Sequence, residues 1–284
     1  VLRKSQLILA ESVPALKSTP VDTVRAMVER LSGLTQTNRR ALSVFDDSID
    51  HRLSYYLDKS IKVKQGVSLG LPTGIATIDR EGGLNDGELV GVLGPMNIGK
   101  STVLLSWAAH AYYYGKAKVL ILSPESTVKD MEAKLDPMIA HKMGLKLSNR
   151  ALRMGVESEQ ALREYAEKLK ALQRKDMIIL DSGSDGVFSL DEIVALIRMH
   201  RPDLAVVDGF HLIRGKNRSK TWETFMESAQ TLKGLAQSLG NVIVAGSQVN
   251  RDAILNVDDT ADLGQSAYGL ALEESANKII HLGE

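Results

Sequence analysis

A glycine-bearing turn set between an apolar run and a helix-patterned run narrows what this chain can become more than any other feature. Gly94-Pro95-Met96-Asn97-Ile98-Gly99-Lys100-Ser101 meets every fixed position of the G-x-x-x-x-G-K-[ST] phosphate loop. Residues 88–93 read as a buried strand feeding it. Residues 102–114, with Val103, Leu104, Leu105, Trp107, Ala108 and Ala111 apolar, read as the helix leaving it. The residue types follow from holding a polyanion. Glycine lets successive backbone N–H groups turn inward around an oxygen with no Cβ in the way. The helix start adds about half a positive charge aimed at the same point. Lys100 then reaches the terminal phosphates, and the Ser101 hydroxyl ligates magnesium. Gly94, Pro95, Met96, Asn97, Ile98, Gly99, Lys100, Ser101 and Thr102 are therefore the candidate nucleotide-binding residues, with ATP and Mg2+ as the expected ligands. The bland alternative is a strand-to-helix turn with an accidental Lys-Ser.

With 284 residues the chain holds one large domain, or one domain with a small appendage. An apolar content of 44% supports a proper core. No apolar run approaches the roughly eighteen residues of a membrane span, so none is expected. Cysteine is absent, which excludes disulfides and thiolate metal sites and agrees with a reducing compartment. The formal net charge of zero argues against a uniformly basic surface and directs the search for nucleic-acid contacts to local patches.

Two regions differ in texture. Residues 1–65 read as helical, broken early by Pro14 and Pro20. Val24, Met27, Val28 and Leu31 recur at helical spacing, and so do Ile49, Leu53, Leu57 and Ile61 within a second stretch over 46–61. That second helix needs a surface to cover it, either its own nucleotide-binding domain or an adjacent subunit. From 66 onward strand and helix alternate. Short apolar strands are expected at 89–93, 118–122, 177–180, 204–207, 242–245 and 278–281, as in parallel strands covered on both faces. Ser189-Leu190-Asp191-Glu192 predicts a capping box opening one helix. A further helix over 221–239 should bury Phe225, Ala229, Leu232, Leu235 and Ala236. The fold expected is α/β, a mostly parallel doubly wound sheet with its site at the strand carboxyl ends.

Three more strand ends can be set against the phosphate loop. Leu204–Val207 leads into Asp208, a carboxylate placed to steady magnesium or, more plainly, to cap the next turn. The strand at 118–122 leads into Ser123-Pro124-Glu125-Ser126, where Glu125 is a general-base candidate or an exposed loop residue. The strand at 242–245 leads into Gly246-Ser247-Gln248-Val249-Asn250-Arg251, where the Gln248 amide can donate to a γ-phosphate and lose the contact on hydrolysis. Beyond Asp208, Arg214, Lys216, Arg218 and Lys220 fall in a run with no acid. Such cations follow a phosphate backbone without reading sequence, although a solvated basic turn has the same composition.

With the lead-in Leu71-Pro72-Thr73-Gly74-Ile75-Ala76-Thr77-Ile78-Asp79, Gly82-Gly83-Leu84 and Asp86-Gly87-Glu88-Leu89, these segments resemble the ATPase domain of DnaB-like replicative hexameric DNA helicases of bacteria and phages, which are RecA-like motors. Ser247-Gln248-Val249-Asn250-Arg251 is close to that family's SQLNR motif and is the most discriminating match. The resemblance covers about 66–284 and implies a helical N-terminal and linker region at 1–65. It implies Glu125 as general base, Lys100 and Gln248 as catalytic partners, and Ser101 and Asp208 at the metal. Arg214, Lys216, Arg218, Lys220, Asn250 and Arg251 become the DNA-facing residues. It further implies ATP hydrolysis, single-stranded DNA or a fork as partner, a hexameric homo-oligomer, a primase or loader as a further partner, no membrane, and a bacterial or host cytoplasm. Rival expectations are a RecA/RadA-type recombinase or loader, and a nucleotide-gated assembly module. There are departures. Asp262-Leu263 is not followed by the family's Arg and Glu, so no role is carried to Gly264 or Gln265. The family's arginine finger lies in the hairpin after the last strand, and no residue up to Gly283-Glu284 is assigned to it. No N-terminal primase-binding domain of the usual size is visible. The chain, opening on Val1 with no secretion signal, is taken as trimmed.

Overall fold

Strand residues of alternating direction, apolar on both sides, require cover on two faces, and the chain supplies two helical layers. The structure, a computed structural model, describes residues 49–66, 69–172, 174–183, 186–214, 222–248 and 263–283, and of 263–268 only the backbone. The expected helix around Val24–Leu31 and residues 46–48 lie outside them. The chain divides into two compact units, Val1–Asp58 and Lys59–Glu284.

In the second unit β1 (Leu89–Gly94), β2 (Val119–Ser123), β3 (Met177–Asp181), β4 (Leu204–Asp208), β5 (Val242–Gln248) and β6 (Lys278–His281) form one sheet in the order β3-β2-β4-β5-β1-β6. Every pairing is parallel. All six expected strands are present, and β5 runs on to Gln248, because its pairing with β1 continues to Gly94.

The period of two along each strand sorts side chains between the faces. Leu89, Leu93, Leu120, Leu122, Ala205, Val207, Ile243 and Ala245 join one buried cluster. It is closed by α7 (Leu190–His200), α8 (Trp222–Leu239) and α9 (Leu263–Ser275). Val90, Val92, Val119, Ile121, Leu204, Val206, Val242 and Val244 join the other. This second face is covered by α3 (Lys100–Tyr113) and α4 (Val128–Lys142), with Tyr165 from α6 (Glu159–Ala171) at its edge. The α8 residues Phe225, Ala229, Leu232, Leu235 and Ala236 are buried as expected.

Local chemistry sets the helix ends. Ser189 accepts from the Glu192 N–H at 3.2 Å while Glu192 accepts from the Ser189 N–H at 2.8 Å, the reciprocal box read from the sequence. Thr127 caps α4 by accepting from Asp130 N–H. Pro137 sits inside α4 and brings no N–H for the Ala133 carbonyl. Asn149, the first residue of α5 (Asn149–Met154), donates its side-chain amide to that carbonyl at 2.7 Å.

Ahead of the sheet, Leu71 and Leu84 pair in an isolated bridge around α2 (Ala76–Arg80). Asp79 ties the turn by accepting from the Thr73 N–H and hydroxyl and the Gly74 N–H at 2.7, 2.7 and 2.9 Å. The helix expected over 46–61 is α1 (Ile49–Lys64). Its Ile49, Leu53, Leu57 and Ile61 are each about half exposed.

Candidate functional site

β2, β4, β5 and β1 lie side by side, so the residues at their carboxyl ends meet along one edge at strand spacings of about 4.8 Å. Asp208 is paired with Gly246 across β4 and β5, and Gln248 with Gly94 across β5 and β1. Glu125 follows closely on the end of β2. A topology that separates β1 from β2 by two strands opens the crevice at this edge, as expected for a doubly wound sheet.

Between β1 and α3 the backbone turns through left-handed residues at Asn97 (φ 61°) and Gly99 (φ 101°). Such turns aim successive N–H groups inward. A Cβ on Gly99 would meet open space, so the loop has room in front of it. α3 begins at Lys100, two residues earlier than the sequence spacing suggested, which places Lys100, Ser101 and Thr102 in the first turn where N–H groups have no intrahelical partner. Lys100 donates from Nζ to the Gly94 and Pro95 carbonyls at 3.0 and 2.6 Å. Pro95 and Ile98 complete the loop, and Met96 stands mostly in solvent.

Charges at this edge are tightly shared. Burial pulls the Lys100 ammonium below its ordinary pKa, against the opposing pull of Glu125 and Asp208. Glu125 is pushed up by burial and then by the Asp208 charge, with Lys100 and Lys134 opposing. Asp208, buried at 5% exposure, is likewise pushed up by burial. The Ser101 hydroxyl bonds its carboxylate and, with Lys134 and Lys100, favours the charged form. Adjacent hydroxyl and carboxylate oxygens suit a hard cation such as Mg2+, which keeps several waters and takes few protein ligands. The first-turn N–H groups and Lys100 suit a triphosphate.

Lys100, Ser101, Glu125, Asp208 and Gln248 therefore share one edge, as the sequence reading required. Arg214 is described: it is exposed, and its backbone pairs with Phe188 and Leu190 at 2.9 and 3.1 Å. Lys216, Arg218, Lys220, Asn250 and Arg251 lie outside the described residues. Two neighbours of Glu125 were not read from the sequence. His211, in the turn Phe210–Leu212, has Nε2 3.2 Å from Glu125 Oε1. Lys134 lies on α4 and acts on both carboxylates. His211 had a faint signal, a polar residue between buried Phe210 and Ile213 just past the strand-end Asp. Lys134 had none, because its helix was not singled out.

The family model described as the DnaB-like helicase C-terminal domain matches residues 70–282. Among solved structures, the chain is similar to the ATPase domain of a phage helicase, with a TM-score of 0.64, 21% identity and 84% of each chain covered. It is also similar to a DnaB-like replicative helicase solved to show its interactions with primase, with a TM-score of 0.63 and 18% identity. That likeness covers 98% of this chain and 65% of the other. Among curated proteins it is 32% identical over 154 residues to Protein RecA of Clostridioides difficile, which is 54% of this chain and 40% of the relative. Protein RecA of Frankia alni is 31% identical over 149 residues, 48% of this chain and 40% of the relative. The chain thus spans about two fifths of the curated relatives it matches.

Proposed function

Because this chain belongs to the DnaB-like helicase C-terminal domain family, we propose that it is the motor of a ring-shaped replicative helicase, hydrolysing ATP to move along single-stranded DNA and part the duplex. The observation that carries this is the electrostatic cluster of Lys100, Glu125 and Asp208 at the carboxyl edge of the sheet, beside the phosphate loop.

Each residue takes a part. The loop from Gly94 to Thr102 holds the phosphates on backbone N–H groups, and Lys100 turns its ammonium from the loop carbonyls to the terminal phosphates. Ser101 and Asp208 are the residues that would hold Mg2+. When bound, that ion would neutralise the charge that develops on the phosphates during transfer. Glu125 accepts the proton of the attacking water, a task for which a carboxyl pKa raised by burial is suited. Gln248, next to Gly94, reads the γ-phosphate. Arg214 and the cations after it, with Asn250 and Arg251, track the DNA backbone.

The domain division we propose is a helical and linker region at 1–65 and a motor at 66–284. The apolar residues of α1 dock on a neighbouring subunit of a hexamer, which the roughly half-exposed Ile49, Leu53, Leu57 and Ile61 support. A primase or loader is a further partner, and the setting is the cytoplasm of a bacterium or of a phage host. A second reading, a RecA-type recombinase, is favoured by the RecA relatives, but their likeness covers about half of this chain, whereas the helicase family model runs over 70–282.

Hydrolysis and fork unwinding decide between them. Wild type should hydrolyse ATP faster with single-stranded DNA and unwind a forked duplex, while Lys100→Ala should bind and hydrolyse no ATP yet remain folded. Strand exchange without unwinding would install the recombinase. Unaltered turnover in Lys100→Ala would remove the site.

A further inference from the structure

Glu125 does not stand alone at the edge of the sheet. The turn that follows Asp208 wraps it. Gly209 takes φ 106°, and a Cβ there would lie 3.4 Å from Glu125 Oε1 and 3.2 Å from Pro124 Cγ. His211 brings Nε2 to 3.2 Å from the same oxygen, with 13% of its side chain exposed. The turn is closed by Leu212 and Ile213 N–H groups donating to the Gly209 and Phe210 carbonyls at 2.9 and 3.1 Å.

The same turn ends at Arg214, and it is held at both ends. Asp208 is within the sheet, paired with Gly246. Arg214 pairs in parallel with Ser189, accepting from Leu190 N–H and donating to the Phe188 carbonyl. Phe210 and Ile213 are buried at 0% and 2% exposure, so two apolar anchors fix the turn from below. His211 and Arg214 therefore leave one short anchored element in two directions, one to the general base and the other to solvent. A segment pinned this way moves as a piece when it moves.

We propose that His211 is a positioning residue that couples DNA to hydrolysis: a phosphate backbone engaged at Arg214 shifts the Gly209–Arg214 turn, and the His211 Nε2–Glu125 Oε1 contact at 3.2 Å carries that shift to the carboxylate. This rests on the reading of Glu125 as general base and of Arg214 as a DNA contact. His211 touches neither nucleotide nor DNA in this account. It sets where the Glu125 carboxylate points, and DNA sets where His211 stands.

The test measures ATP turnover of the full chain with and without an oligothymidylate strand, and the affinity for that strand by fluorescence anisotropy. Wild type, His211→Ala, His211→Gln and Glu125→Gln are compared. In His211→Ala the ratio of DNA-stimulated to DNA-free turnover should fall by about fivefold or more, the lower end of ordinary coupling between two sites. Its DNA affinity should stay within about twofold of wild type, since an interaction that is not at the DNA carries no phosphate contact. His211→Gln, whose amide can donate to the same oxygen, should recover most of the ratio. An unchanged ratio in His211→Ala overturns the proposal. So does a His211→Gln ratio as low as that of His211→Ala, because packing and not the polar contact with Glu125 would then be at work. Wild-type turnover that ignores the oligonucleotide it binds overturns it too. Failure of the underlying reading shows elsewhere, as turnover retained in Glu125→Gln or as no binding of the oligonucleotide by wild type.

Discussion

At Lys100 burial and charge pull against each other. Its ammonium is partly desolvated, and two carboxylates and two carbonyl oxygens hold it charged. Glu125 and Asp208 face the mirror problem, two acids crowded together with Lys100 and Lys134 between them and neutrality. A folded-state pKa raised above the ordinary carboxyl value of 4.5 means that Glu125 holds its proton to higher pH than a free side chain. In the proposed role, its capacity as a base is therefore lost, as pH falls, at a pH above the usual glutamate range. Backbone geometry at one residue allows this crowding. Gly209→Ala places a methyl against Pro124 and Glu125 at φ 106°, whereas Gly240→Ala places one at φ 66° with nothing within 4 Å. Both variants should lose about 1–3 kcal/mol of stability from left-handed strain, measured by urea unfolding. If Glu125 is the general base we propose, only Gly209→Ala should also lose turnover, by about tenfold, since a general base contributes on the order of a hundredfold or more and is here displaced, not removed. Equal turnover in the two variants would refute the crowding. That the residues with a motif around them (Lys100, Ser101, Glu125, Asp208, Gln248) would lie on one edge was legible in the sequence. Gly209, His211 and Lys134 were not, because their importance comes from a neighbour brought in by folding.

Helix α4 carries a defect that another helix repairs. Pro137 leaves the Ala133 carbonyl without its i+4 donor, and Asn149 supplies one from the start of α5. Asn149→Ala should cost about 1–3 kcal/mol for the stranded carbonyl. In a Pro137→Ala background, where residue 137 has an N–H to offer, the cost should shrink by about 1 kcal/mol or more. Urea unfolding of the four proteins of the cycle measures this, and equal costs in both backgrounds would refute the repair. A second joint lies where α3 meets α4. His110 Nδ1 accepts from Lys142 Nζ at 2.9 Å, and its ring lies 4.6 Å from that of Tyr114. Burial first, and then Lys142, pull His110 below its ordinary value of 6.5, with Asp79 opposing. The sign follows from linkage. Above 6.5 both folded and unfolded histidines are neutral, and the stability is fully present. As pH falls below 6.5 the unfolded chain takes up the proton first, and stability is lost down through the folded pKa. Compared with His110→Gln, which keeps an acceptor for Lys142 and does not titrate, wild type should therefore lose stability progressively as pH falls below 6.5 in thermal melts. Parallel curves would refute it. At this scale the sequence spoke through period and caps. Six strands, the Ser189 box and the α8 face were readable because each is a local pattern. The Asn149–Ala133 repair and the His110–Lys142 joint join residues far apart in sequence, and no spacing announces them.

For the molecule as a whole, the sheet divides the labour between its two edges. Carboxyl ends gather the phosphate loop, both acids, Gln248 and the root of the basic run at Arg214. Amino ends carry unrelated cations, among them Lys116 ahead of β2 and Lys175 ahead of β3, the latter paired with Asp203 at 2.7 Å. With a formal net charge of zero, no general attraction draws DNA to this protein, so binding must come from placement. That makes the two edges distinguishable by salt. If Arg214, Lys216 and Arg218 each meet a phosphate of single-stranded DNA, each releases counterions worth a slope of about 0.7 in log affinity against log salt. Neutralising the three together should flatten the slope by about 2 and weaken binding alike across sequences. Neutralising Lys116 and Lys175 should leave the slope where it was. Anisotropy titrations of a labelled oligothymidylate and a mixed-sequence strand over a range of salt measure both. A loss confined to one sequence would mean that the run reads bases, and equal flattening by both sets would mean that charge alone, wherever it sits, does the binding. Either result would detach the basic run from the edge proposed for hydrolysis, and the proposed motor needs the two together.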